Sequence, residues 1–175
     1  MKANDLDFQM YCFGGFRFVS DKTKNIDFFT NKERALLVYL AVETPKVFRR
    51  SHLAGLLWCE LSEKRALHNL RQTLYQLKKT WNEIEEDQEL LLIDQDTITI
   101  HPRLDLWVDV LAFEEKFYNA TLFMKDHSQF NHLDIQLLKN AMALFRGPFL
   151  DRFEINDTSL FNEWETFQRE RTSQL

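Results

Sequence analysis

The sequence predicts an α+β unit followed by an all-α region. Gly and Pro number only 4 and 3 among 175 residues, which argues against a loop-rich or all-β chain. Apolar residues lie between turn signals in residues 6–29 and again in 90–100, whereas elsewhere they recur at helical spacing. Hydrophobic residues make up 45% and charged residues 28%, so the chain buries enough apolar surface to fold. The 16 Phe read as core material, because no paired aromatic motif of a base-stacking platform is present.

The elements follow in order. Phe8, Tyr11, Phe13, Phe16 and Phe18 sit between the turn signals Gly14-Gly15, Ser20-Asp21-Lys22 and Lys24-Asn25, which predicts short strands. Gly14-Gly15 lacks the Gly-Lys-Ser/Thr ending of a phosphate loop and reads as a tight turn. Thr30 and Glu33 have capping-box spacing, and Ala35, Leu36, Leu37, Tyr39, Leu40 and Ala41 form the dense apolar run of a first helix ended by Pro45. A second helix covers roughly 50–58 with Leu53, Leu56 and Leu57 inward. Ser62 suits the N-cap of a third, over 62–81. Its wheel gathers Ala66, Leu67, Leu70, Leu74, Leu77 and Trp81 on one side. Lys64, His68, Gln72, Tyr75 and Lys79 fall opposite, with Arg65 and Arg71 flanking and Asn69 at the edge.

Glu83 to Glu89 reads as an acidic connector, and Leu90–Ile93 with Thr97–Ile100 as a β-hairpin around Asp94-Gln95-Asp96, closed by Pro102. A small domain is expected to span 1–104 and a helical one 105–175. In the second, Val110, Phe113, Phe117 and Ala120 or Thr121 mark one helix. Leu133, Leu137, Leu138, Ala141, Leu144 and Phe145 mark another, ended by Gly147-Pro148. Phe161, Trp164, Phe167 and Leu175 mark a third. The chain stops inside that last pattern without a C-cap, so further helices are expected beyond it.

Charge narrows the function. The net charge is −5, yet residues 46–79 carry eight Lys/Arg against Glu60 and Glu63, a net of +6. That block coincides with the second and third helices. Strands, three helices and a hairpin form the layout of a winged helix, whose later helix enters the DNA major groove. Arg and Lys suit phosphate or guanine, and Asn and Gln suit adenine. The candidate DNA-binding residues are Arg49, Arg50, Lys64, Arg65, His68, Asn69, Arg71, Gln72, Tyr75, Lys78 and Lys79. A solvated charged face is the plainer reading of the lysines and arginines, and Arg49 and Arg50 read equally as phosphate clamps or as partners of acids. Trp58 and Trp81 read as packing.

Several residue blocks also resemble a known family. Thr30–Ala41 reads T-x-K-x-R-A-L-L-x-Y-L-A, Arg50–Trp58 reads R-x-x-L-A-x-L-L-W, and Ala66–Lys78 reads A-x-x-N-L-R-x-x-L-x-x-L-K. Val108–Phe113 reads VDVLAF, and Ala141–Leu150 reads A-x-x-L-F-R-G-P-F-L, followed by Trp164 and the Arg169–Arg171 pair. Together and in this order they resemble the Streptomyces antibiotic regulatory protein type of bacterial transcriptional activator. The resemblance implies a winged-helix DNA-binding domain followed by an activator domain of tetratricopeptide-like helix pairs. It implies promoter DNA and RNA polymerase as partners, and dimers on direct repeats. The chain departs from the family pattern at Cys59, where Pro is usual, and at Lys78, where Arg is usual.

Other functions are poorly served. No HExxH, GxSxG, P-loop or paired-cysteine motif is present, so neither an enzyme, a cofactor nor a metal site is expected. Glu114-Glu115 and Glu163/Glu165 read as exposed helix charges. Cys12 and Cys59 read as buried small hydrophobes in a reducing cytoplasm. The N-terminal residues have no signal-peptide pattern and no run is long enough for a membrane span, so a cytoplasmic, nucleoid-associated protein is expected. The acidic hairpin tip should be repelled by phosphate and is left out of the candidate site. It favours a second reading, a protein-interaction module that no longer reads DNA.

Overall fold

The computed structural model of the chain describes residues 7–21, 26–28, 30–125 and 132–175. Among them the order is β1 (Phe8–Tyr11), β2 (Arg17–Ser20), α1 (Asn31–Val42), β3 (Phe48–Arg49), α2 (Arg50–Leu57), α3 (Glu63–Asn82), β4 (Leu91–Ile93), β5 (Thr97–Ile100), β6 (Leu106–Val108), α4 (Asp109–Lys125), α5 (His132–Met142) and α6 (Ser159–Ser173). The result is a mixed α/β structure with six helices and two small sheets. The Lys24-Asn25 turn signal and the side chain of Leu133 lie outside the described residues.

One sheet has the order β2-β1-β6. β1 and β2 are antiparallel about the Gly14-Gly15 turn, with Tyr11 opposite Arg17, and β6 runs parallel to β1 with Met10 opposite Val108. The glycines are required there. Gly14 has φ +73°, and a Cβ on it would lie 2.9 Å from the Arg146 carbonyl oxygen. The second sheet has the order β3-β5-β4, with the expected hairpin between Leu91 and Ile100 and Phe48 paired to Ile98. Strands β3 and β6 were not expected. Two or three residues show no alternation, and their pairing partners lie far away in sequence.

α1 begins as its sequence dictates, with both halves of the capping box formed between Thr30 and Glu33. Nine of its residues, Glu33 and Ala35–Val42, are buried, so it is covered on every side. α2 and α3 pack on it, β5 touches it, and Lys32 Nζ ties its first turn to the carbonyls of Leu57 (2.6 Å) and Asn156 (3.1 Å). Phe8 and Phe18 on the first sheet close the core around Trp81, at ring distances of 4.7 and 6.3 Å.

The helical part is joined to the first sheet through a buried carboxylate. Asp109, first residue of α4, accepts from the backbone N–H of Cys12 (2.8 Å) and Phe13 (3.0 Å) through its two oxygens. Burial pushes its carboxyl above the ordinary value, against the pull of those N–H groups and of Arg146. Beside it, the loop after α5 meets the end of β1, with Leu150 N donating to the Cys12 carbonyl at 2.7 Å and Gly14 N to the Pro148 carbonyl at 3.0 Å.

Four expectations need correction. Ser62 is the N-cap residue of α3, but its side chain makes no capping bond. On α6, Phe161 is fully buried and Trp164 packs against the core, yet Phe167 is 57% exposed, and Leu175, beyond the end of the helix, is 46% exposed. The inward side is completed by Glu165, Gln168 and Thr172, with Gln168 reaching Glu43 and Thr172 bonding back to the Gln168 carbonyl. Arg169 donates to the Phe149 and Leu150 carbonyls at 2.8 Å each and pairs with Glu165. Glu165 is therefore buried rather than exposed, and Glu114 is half-buried in a pair with Arg171. Cys12 is buried as expected, but Cys59 is only half-buried, with Sγ 3.2 Å from Ser159 Oγ.

Replacing Asp109 by Ala leaves two buried N–H groups without an acceptor. The expected loss is about 2 kcal/mol or more in a urea unfolding titration, and an unchanged midpoint would remove Asp109 from its place as the tie between the two parts.

Candidate nucleic-acid interface

α3 is amphipathic for the reason its sequence suggests. Ala66, Leu70, Thr73, Leu74, Leu77, Thr80 and Trp81 are buried, and Leu67 is half-buried at the margin. Thr73 and Thr80 join the inner side because they lie on the same helical stripe as Leu70, Leu77 and Trp81. Trp81 fixes the far end of the helix. It is 1% exposed, and its Nε1 donates to the Gln88 carbonyl at 2.6 Å. That bond also folds the acidic connector back against the core.

The opposite side carries the candidates. Lys64, Arg65, His68, Arg71, Gln72, Lys78 and Lys79 are exposed, and Tyr75 is 64% exposed. Asn69 is half-buried, in keeping with its place at the edge of the wheel. From Lys64 to Lys79 the row extends about 22 Å along the helix. Lys78 departs from it, because it lines a small cleft with Leu74, Leu77, Trp81 and Leu90–Ile93 on the β4 side.

Arg49 and Arg50 reach the same side by another route. β3 pairs with β5, which sets Arg49 opposite Thr97, and Arg50 N donates to the Asp96 carbonyl at 2.9 Å. Arg49, Arg50 and Arg71 then line one open groove of about 740 Å³ with Ser51, Leu67 and the hairpin tip at Gln95 and Asp96. Ser51 and Gln95 gave no local signal in the sequence, since only β3 pairing brings the start of α2 to the hairpin. The same pairing alters the view of the tip. Asp96 has no cation near it in sequence, but Arg49 and Arg50 stand beside it in space.

The electrostatics of this side differ from the rest of the molecule. Among the described residues, none of Arg49, Arg50, Lys64, Arg65, Arg71, Lys78 and Lys79 forms an ion pair. Elsewhere among the described residues Lys46, Arg152, Arg169 and Arg171 are ion-paired, whereas Arg17, Arg34, Arg103, Lys116, Lys139 and Arg146 are not, so this side is set apart by the clustering of its unpaired cations. Arg50 Nε is enclosed and lacks a hydrogen-bond partner. Lys64 and Arg65 lie in the first turn of α3, where the helix dipole disfavours cations by a few tenths of a kcal/mol or more. Folding alone does not call for cations there, and an anionic ligand would offset the cost. No group of His, Cys, Asp and Glu among the described residues is arranged to hold a metal ion. No helix among them is long and apolar enough to cross a membrane.

No family model matches the chain, and no curated protein matches its sequence. Its fold is similar to that of EmbR from Mycobacterium tuberculosis, solved in complex with a low-affinity phosphopeptide. The TM-score is 0.71 at 17% sequence identity, over 97% of this chain. The chain spans 43% of the length of that protein.

Trp81→Phe removes the bond to Gln88 and leaves a gap. A loss of about 1–2 kcal/mol is expected, with faster amide exchange confined to the last turns of α3 and the connector. Uniform loss of protection across the protein would show that Trp81 does not anchor this end specifically.

Proposed function

We propose that the protein is a DNA-binding transcriptional regulator of the Streptomyces antibiotic regulatory protein type. In this reading residues 1–104 form a winged helix-turn-helix unit, and residues 105–175 begin a tetratricopeptide-like activator domain whose first strand, β6, pairs with β1 of the unit before it. α2 and α3 are the helix-turn-helix, β4 and β5 the wing. The single observation that carries the reading is the row of unpaired cations on the exposed side of α3, continued by Arg49 and Arg50, on a chain of net charge −5. A fold shared with EmbR over 97% of the chain agrees with a resemblance that also runs through both parts.

The mechanism follows from the chemistry of the side chains. The major groove, about 12 Å wide, admits a helix. Lys64, Arg65 and Lys79, spread along α3, suit phosphates on the groove walls, as do Arg49 and Arg50 at the start of α2. Arg71, Gln72 and His68, in the middle of the exposed side, suit base edges, and Arg71 offers a fork for guanine O6 and N7. Most of the affinity comes from phosphate and falls steeply with salt. The helical part serves dimerisation on direct repeats or contact with RNA polymerase, in a cytoplasmic setting. No catalytic or cofactor role is assigned.

A second reading, a protein-interaction module, draws on the exposed tip Asp94-Gln95-Asp96. Gel-shift titration on the fragment upstream of the protein's own gene, at two salt concentrations, separates the two. A specific shift with a steep salt slope supports DNA binding, whereas no shift and no slope favours the second. Once a site has been selected from random DNA, Arg71→Ala is expected to weaken binding by roughly 1–3 kcal/mol and relax specificity at one position. Lys64→Ala should weaken binding to all sequences alike and lower the salt slope by about 1. Unchanged affinity in both variants at matched salt would remove α3 as the reading helix.

A further inference from the structure

α6 meets the turn after α1 at a single carboxylate. Trp164 Nε1 donates to Glu43 Oε1 at 2.9 Å, and Gln168 Nε2 reaches the same oxygen at 3.4 Å. The other Glu43 oxygen pairs with Lys46 in the same turn. Burial opposes the charge on Glu43, but the bonds from Lys46 and Trp164 outweigh it and hold the carboxyl below its ordinary value. Glu43 is therefore a charged acceptor, which strengthens both bonds to α6.

The Trp164 ring also stands edge-on to Tyr39, with centroids 4.9 Å apart. Tyr39 in turn holds β3. Its ring lies 5.1 Å from Phe48, and its hydroxyl is 2.9 Å from His52 Nε2. His52 stacks on Phe48 at 5.4 Å with an interplanar angle of 17°. Phe48 is thus gripped by Tyr39 and His52, and the next two residues are Arg49 and Arg50. A strand of two residues has too few ladder bonds to set its own position. Its remaining supports come from the hairpin, through Thr99 Oγ1 to the Lys46 carbonyl (2.9 Å) and Arg50 N to the Asp96 carbonyl (2.9 Å).

We propose that Trp164 is a positioning residue for Arg49 and Arg50, so that the seating of α6 sets how these two arginines meet the ligand. The proposal rests on the DNA-binding reading for the identity of that ligand. Trp164 itself belongs to no part of the interface. It acts through Glu43 and Tyr39, which brace the segment from 43 to 48 by the Lys46 pair and the Phe48 ring contact. Packed aromatic contacts of this kind tend to shift between discrete arrangements rather than deform smoothly. Anything that reseats α6 therefore changes the register of the two arginines.

Two conservative variants test this in the full chain. Trp164→Phe keeps an aromatic ring and removes the N–H to Glu43, and Tyr39→Phe removes only the hydroxyl to His52. Without DNA, the Arg50 amide is expected to exchange several-fold faster in both variants while the amides of α3 keep their protection. Unchanged exchange at Arg50 in both overturns the proposal. With a selected DNA site, Trp164→Phe is expected to lower affinity roughly threefold to tenfold. That loss should vanish when Arg49 and Arg50 are already Ala, whereas it should persist beside Arg71→Ala. An equal loss in every background overturns the positioning role. If the wild-type chain binds no DNA, the DNA reading falls, and exchange at Arg50 still decides whether Trp164 holds β3.

Discussion

The rest of the structure depends on the burial of nine of the twelve residues of α1. A twelve-residue helix with nine buried positions has no side to turn to water. It must be covered all round, and each cover is a different part of the chain. α2 and α3 take one flank and β5 another, while Tyr39 carries Trp164 of α6. The hydrophobic effect is non-directional and says only that the helix must be enclosed. Direction comes from the polar groups at its ends. The Thr30–Glu33 box starts the helix, Lys32 collects the Leu57 and Asn156 carbonyls, and Glu43 receives two donors from α6.

This arrangement explains how an acidic protein keeps a basic surface available. Some charges of the helical part are taken up in pairs, as Glu165 with Arg169 and Glu114 with Arg171. α3 turns its apolar stripe to α1 and the first sheet, and its cations face outward without acids of the same helix beside them, apart from Glu63 at its start. Of the seven acids between residues 80 and 104, those of the connector fold back with the Trp81–Gln88 bond, and Asp96 at the hairpin tip lies in the groove of Arg49, Arg50 and Arg71. The tip then has a local structural use, since the Asp96 carbonyl accepts from Arg50 N.

The helical part is joined to the first part by polar atoms more than by apolar area alone. Asp109 grips the end of β1, Arg169 completes the Phe149–Leu150 turn, and Trp164 and Gln168 converge on Glu43. Hydrogen bonds impose distance and angle, so they hold one orientation where a greasy contact would admit several. Gln168, bonded to Glu43, is accordingly buried while Phe167 stays in solvent, the reverse of what the apolar spacing of α6 suggests.

Much of the fold was legible because local rules and burial agreed. The capping box, the 3.6-residue stripe of α3, the glycine turn and the hairpin each reside within a short window, and the charge on the outer side of α3 follows from that stripe. The candidate row from Lys64 to Lys79 was therefore visible from sequence by itself. What only the tertiary structure decided were the features made by distant partners. β3 and β6 exist because β5 and β1 are there to pair with them. Arg49 and Arg50 join Arg71 in one groove for the same reason. Glu165 is buried, against expectation, because α6 packs back on the first part of the chain. Sequence determines what a residue offers to its neighbours along the chain, and three-dimensional packing determines which unsatisfied groups from elsewhere arrive to meet it.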